Sequence, residues 1–65
     1  MARYIGKAYD EQEISNEVLK GELLYVESGG VANNVTMVGG TCYVFAGGEV
    51  DGLILEQGAT VVLWS

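Results

Sequence analysis

Apolar positions along the chain come in short runs framed by glycine and small polar residues. The stretch Ser28-Gly29-Gly30-Val31-Ala32-Asn33-Asn34-Val35-Thr36-Met37-Val38-Gly39-Gly40 is typical. Glycine loses the most backbone freedom on folding, so a pair is placed where the chain must turn in a way other residues resist. β-Branched residues between two such pairs predict a short strand bounded by sharp corners.

The corners recur. A shift of 18 residues places Tyr25-Val26 on Tyr43-Val44 and then on Val61-Val62. The same shift places Gly29-Gly30 on Gly47-Gly48, Asn33-Asn34 on Asp51-Gly52, Val35-Thr36-Met37 on Leu53-Ile54-Leu55, and Gly40 on Gly58. Ile14-Ser15-Asn16 fall beneath Ala32-Asn33-Asn34, and Leu19 beneath Met37. The pattern predicts an all-β fold: a short parallel β-solenoid with rungs at 14–31, 32–49 and 50–65 and a cap over 1–13. Leu19, Met37 and Leu55 are expected to form one interior column, and Val26, Val44 and Val62 another. Glu17, beneath Val35 and Leu53, does not fit an interior column and predicts a frayed first rung.

Both ends invite expectations. Tyr4 to Tyr9 is expected as a capping strand. An alternative is a short helix over 11–20, because Asp10-Glu11-Gln12-Glu13 has the form of a capping box and Ile14 and Val18 are four apart. No cap is visible after Thr60. Val62, Leu63 and Trp64 are therefore a candidate association edge, unless Trp64 folds over the core as a plug.

Composition narrows the function. Nine acids against Arg3, Lys7 and Lys20 give a net charge of −6 over 65 residues. That balance disfavours direct binding to DNA, RNA or an anionic membrane and favours a basic partner; it would also serve solubility alone. The single cysteine, Cys42, has no internal disulfide partner. With no signal-peptide pattern and no apolar span, a cytoplasmic setting is expected.

Catalysis finds little support. Histidine is absent. Cys42 has no basic neighbour in sequence to activate it. The glycine pairs lack the Gly-Lys-Ser/Thr continuation of a phosphate loop and the nonapeptide spacing of calcium-binding β-rolls. A non-enzymatic protein without metal or cofactor is expected. The acids are the more informative group. On the solenoid, Glu13 and Glu49 share a column two rungs apart, about 10 Å at the usual strand spacing. Asp51 stands above Asn33 and Ser15, and Asp10 and Glu11 just precede Glu13. These five residues are the candidate partner-binding site: either a carboxylate ridge able to occupy a groove built for a nucleic-acid backbone, or simply a solvated charged corner.

The motif SGGVANN, a β-run, GG, the strand TCYV and GG again resembles the passenger repeats of AIDA-type bacterial autotransporter adhesins over roughly residues 12–62. The resemblance implies a solenoid scaffold and, as one reading of function, a cell-surface structural or self-association module. This chain departs from that family in having three copies, no membrane barrel in its sequence, and acids in place of outward Ser and Thr. It is either a fragment of such a passenger or a free-standing protein, which Met1 and the capping segment favour. In overall profile, being small, acidic and without catalytic groups, the chain resembles phage-encoded inhibitors of bacterial defence, the anti-CRISPR proteins. That likeness implies a DNA mimic that binds a Cas protein or a guide-RNA surveillance complex, as a monomer or an edge-paired dimer.

Overall fold

The computed structural model describes residues 1–64; Ser65, the last position of the third expected rung, lies outside the described residues. The first coil holds β1 (Ala2–Ile5), β2 (Glu13–Ser15) and β3 (Val18–Lys20). The second holds β4 (Leu23–Val26), β5 (Val31–Asn33) and β6 (Thr36–Val38). The third holds β7 (Thr41–Val44), β8 (Glu49–Asp51) and β9 (Ile54–Glu56), and β10 (Thr60–Leu63) opens a fourth. Each strand pairs in parallel with its equivalent one coil away. The result is three sheets around one core: sheet A (β1-β4-β7-β10), sheet B (β2-β5-β8) and sheet C (β3-β6-β9). The chain is a short parallel β-solenoid, as its repeat requires.

The glycine pairs have two separate causes. Gly29 and Gly47 sit at φ of +84° and +86°, a region that penalises a Cβ. Their successors Gly30 and Gly48 have ordinary φ but no room: a Cβ there would lie 2.7 Å from the Ile5 carbonyl oxygen and 2.8 Å from that of Val26. One glycine turns the chain, and the next lets the neighbouring coil approach. At the corner between sheets B and C the equivalent positions Asn16, Asn34 and Gly52 all have positive φ. The Asn34 amide donates to the Asn16 Oδ1 at 3.3 Å, forming a short asparagine ladder along that corner. Asparagine tolerates this conformation better than most residues.

The interior is a set of stacked columns. Ile14, Ala32 and Val50 form one, and Leu19, Met37 and Leu55 another, in the expected register. Burial is complete at the middle coil and falls off at the last. Met37 is fully buried, whereas Leu55 keeps 41 % of its surface exposed because no coil covers it.

Four expectations need correction. The first strand is Ala2–Ile5, not Tyr4 to Tyr9, because the chain turns at Gly6, where the Tyr9 N–H donates to the Gly6 carbonyl. That strand is the first member of sheet A, with Ile5 on Val26. The segment 11–20 is not helical: β2 and β3 occupy it, since their backbone groups pair with β5 and β6. The third correction concerns Val62. Residues 57–59 connect β9 to β10, whereas residues 39–40 alone connect β6 to β7. This extra residue shifts the register by one, so Val62 lies over Tyr43 and Leu63 over Val44. A one-residue slip exchanges the faces of a strand. Val62 therefore leaves the interior column, and Leu63 takes its place.

The fourth correction is Glu17, which is not frayed. Arg3 occupies the column of Leu24, and Glu17 the corner position of Val35, both apolar and buried in the next coil. In the first coil these positions have nothing beneath them. There the Arg3 guanidinium donates to Glu17 at 2.7 Å and to Glu11 at 2.8 Å. The pair forms a polar lid on the end of the core. Its hydrogen bond from Arg3 holds the Glu17 carboxyl below the usual carboxylate range, and the two carboxylates push the Arg3 pKa up.

Candidate partner-binding face

Along each strand of sheet B the middle residue points inward and its two neighbours point outward. Ile14, Ala32 and Val50 are the inward set. The outward set is therefore two columns: Glu13–Val31–Glu49 and Ser15–Asn33–Asp51. Glu13, Glu49 and Asp51 are exposed. The sheet brings these three acids onto one face although they are far apart in sequence. It also holds them apart. Two strand spacings separate Glu13 from Glu49, about 10 Å. Among the described residues no group of His, Cys, Asp and Glu converges on a point that could hold a metal ion. The face offers spread negative charge, not a chelating site.

The other two candidates behave differently. Asp10 is exposed in the connection that leads from β1 into β2. Glu11 turns toward the first-coil end, where both of its carboxylate oxygens accept from Arg3. Its charge is matched there, so the acidic face proper is Glu13, Glu49 and Asp51. Among the described residues the ion pairs are those of Arg3 with Glu11 and Glu17, and no base pairs with those three acids or with Asp10.

Sheet A presents a feature that the sequence reading missed. Tyr4, Tyr25 and Tyr43 are in register on its outer side. Their rings stack at centroid distances of 4.7 and 4.9 Å, nearly parallel. Tyr9 leans on Tyr4 at one end, and its hydroxyl donates to Glu27 at 2.8 Å. At the other end Trp64 meets Phe45 edge-on at 4.9 Å. Every aromatic residue of the chain belongs to this one ladder. Such pairs add roughly 0.5–1.5 kcal/mol each beyond area burial. The alignment of Tyr25 with Tyr43 was visible in the 18-residue shift; that of Tyr4 was not, because the first coil is three residues longer. Trp64 is 57 % exposed and lies against Phe45 on the outside, so it is not a plug over the core.

Cys42 is wholly buried in the column between Leu24 and Val61. Burial pushes its thiol up to about 11, which keeps it protonated and unreactive near neutral pH. Among the described residues no pocket opens that could enclose a small substrate. Fold and surface together define a class: a miniature parallel β-solenoid with one acidic and one aromatic face. No protein-family model, curated protein or solved structure matches the chain.

Proposed function

We propose that the chain is a non-enzymatic binding protein whose sheet B face occupies the nucleic-acid groove of a basic partner. The observation that carries this reading is the register of β2, β5 and β8. It sets Glu13, Glu49 and Asp51 on one base-free face. A fixed row of carboxylates presents its charge without first having to be ordered, so less conformational entropy is lost on binding. With a net charge of −6, the attraction to a basic groove is long-ranged, fast and weakened by salt. The partner class that suits this chemistry is a protein that tracks a phosphate backbone, in the specific form of a Cas protein or a guide-RNA surveillance complex. Occupying the path of the target DNA would make the chain an inhibitor of the anti-CRISPR kind.

The test is competition. A guide-loaded surveillance complex is mixed with labelled target DNA and increasing amounts of the chain. Displacement of the DNA is expected, and less of it as salt rises. The double variant Glu49→Lys with Asp51→Lys should no longer displace DNA, while its circular dichroism stays that of the native chain. Equal displacement by native chain and double variant would remove the acidic face from the mechanism.

A further inference from the structure

Trp64, the one tryptophan of the chain, stands at one end of the aromatic ladder with 57 % of its surface exposed. From it the ring centroids run 6.2 Å to Tyr43, 4.9 Å to Tyr25, 4.7 Å to Tyr4 and 5.6 Å to Tyr9. The two central steps join nearly parallel rings, at interplanar angles of 8° and 7°. Indole and phenol are the aromatic side chains that yield a single electron most readily. Electron tunnelling weakens steeply with separation, so a row of oxidisable rings near contact passes charge in short steps. Phe45 lies beside the row, 4.9 Å from Trp64, but its ring is far harder to oxidise and the row bypasses it.

The Tyr9 end differs from the middle of the row. A phenol that loses an electron becomes a strong acid and must shed its proton for the radical to persist. At Tyr9 an acceptor is in place: the hydroxyl donates to the Glu27 carboxylate at 2.8 Å, within reach for proton transfer. The same hydrogen bond raises the Tyr9 pKa, so the phenol keeps its proton until the ring is oxidised. Among the described residues Tyr9 is the one tyrosine whose hydroxyl donates to a carboxylate. An indolyl radical is a stronger oxidant than a tyrosyl radical at neutral pH. The driving force therefore runs from Trp64 toward the tyrosines, and the proton acceptor fixes its end at Tyr9.

We propose that the outer side of sheet A is a relay for one-electron oxidation, which enters at Trp64 and comes to rest on Tyr9. A diffusing radical oxidant takes one electron from the exposed indole and is itself reduced. The indole N–H proton goes to water and leaves an indolyl radical. One electron then passes from Tyr9 to the indole by way of Tyr4, Tyr25 and Tyr43. The Tyr9 O–H bond breaks, its proton goes to the Glu27 carboxylate, and the indole nitrogen regains a proton from water. The products are intact Trp64, a tyrosyl radical at Tyr9 and a protonated Glu27, which returns its proton to water. The sum is the loss of one electron and one proton from Tyr9, matched by the one electron gained by the oxidant. The relay shares no residue with the acidic face of sheet B, so it does not rest on the function proposed above.

Pulse radiolysis of the whole chain in azide solution tests this, because the azidyl radical oxidises indole in preference to phenol at neutral pH. The green absorption of the indolyl radical is expected to give way to the violet absorption of a phenoxyl radical, at a rate independent of protein concentration. A nitroso spin trap then fixes the radical for mass spectrometry. Trypsin cleavage after Arg3, Lys7 and Lys20 leaves Tyr4 in 4–7, Tyr9 in 8–20, and Tyr25, Tyr43 and Trp64 in 21–65. The label is expected mainly on 8–20 in the native chain. Tyr25→Phe keeps the ring stack but removes an oxidisable link, and should move the label to 21–65. Glu27→Gln keeps an acceptor for the Tyr9 hydroxyl but takes up no proton, and should move the label off 8–20. Trp64→Phe should lose the green signal and most of the label on 8–20. All three variants should keep the native far-ultraviolet spectrum. A transfer rate that grows with protein concentration, or a native label confined to 21–65, would overturn the proposal. So would a label on 8–20 that Tyr25→Phe or Glu27→Gln leaves in place.

Discussion

Met37→Ala is the perturbation that most directly probes the stacked columns. Met37 lies between Leu19 below and Leu55 above and has no exposed surface. Alanine removes most of its side chain and leaves a void closed on every side. Such truncations cost about 2–5 kcal/mol, from lost transfer energy plus the residual cavity. Leu55 belongs to the same column but keeps 41 % of its surface exposed. Burying a leucine fully is worth about 1.5–3 kcal/mol, so roughly three-fifths of that, about 1–2 kcal/mol, is lost in Leu55→Ala. No closed cavity adds to it, because the column is open above. A domain of 65 residues has a total stability of about 3–10 kcal/mol. Met37→Ala therefore removes a large share of it, and Leu55→Ala a modest one. Urea unfolding followed by far-ultraviolet circular dichroism measures both, with the denaturant slope checked for constancy. Met37→Leu, which conserves volume, should cost less than about 1.5 kcal/mol. If Leu55→Ala proved as costly as Met37→Ala, the column would be covered at both ends, and the partial exposure of Leu55 would be an error.

Two further outcomes follow from the corners and the lid. Gly40→Ala should destabilise far more than Gly58→Ala, by calorimetric melting. Both glycines have positive φ, which costs an L-residue about 1–2 kcal/mol, but a Cβ at Gly40 would run into the Glu22 carbonyl oxygen, whereas at Gly58 nothing lies within 4 Å. Equal losses would show that coil contact is not what excludes a side chain at Gly40. The Glu17 carboxyl, held below its ordinary value of 4.5 by Arg3, contributes stability that is fully present above that value. It is lost as pH falls through the lowered folded pKa, when the unfolded chain has already taken up its proton. Arg3→Ala should flatten the acid limb of a stability profile measured from pH 7 downward; an unchanged limb would mean that the lid plays no part.

Much of the architecture was legible because a solenoid repeats itself. Leu19, Met37 and Leu55, and Glu13 and Glu49, could be placed in columns from spacing alone, since the strands of sheets B and C follow one another at a constant step of 18 residues. The reading failed where coil length changed. Three extra residues in the first coil hid the alignment of Tyr4 with Tyr25, and one extra residue before β10 moved Val62 outward and Leu63 inward. An 18-residue shift cannot register insertions, because nothing local announces which side of a turn absorbs them. Glu17 shows a second kind of failure. It breaks the apolar pattern of its column, and only the position of Arg3, 14 residues away, explains why the break is stable.

The sequence by itself determined the parallel coil, its period, the corners that require glycine, and the sign and rough grouping of the charge. These follow from local backbone preferences and from periodicity, which a linear chain carries openly. The tertiary structure alone decided which acids stand free and which is matched by a base. It also gathered every aromatic ring onto one face, closed one end of the core with the Arg3 ion pairs and left Leu55 and Leu63 exposed at the other. Those properties depend on distances across coils and on what covers each end, and neither exists until the coils are stacked.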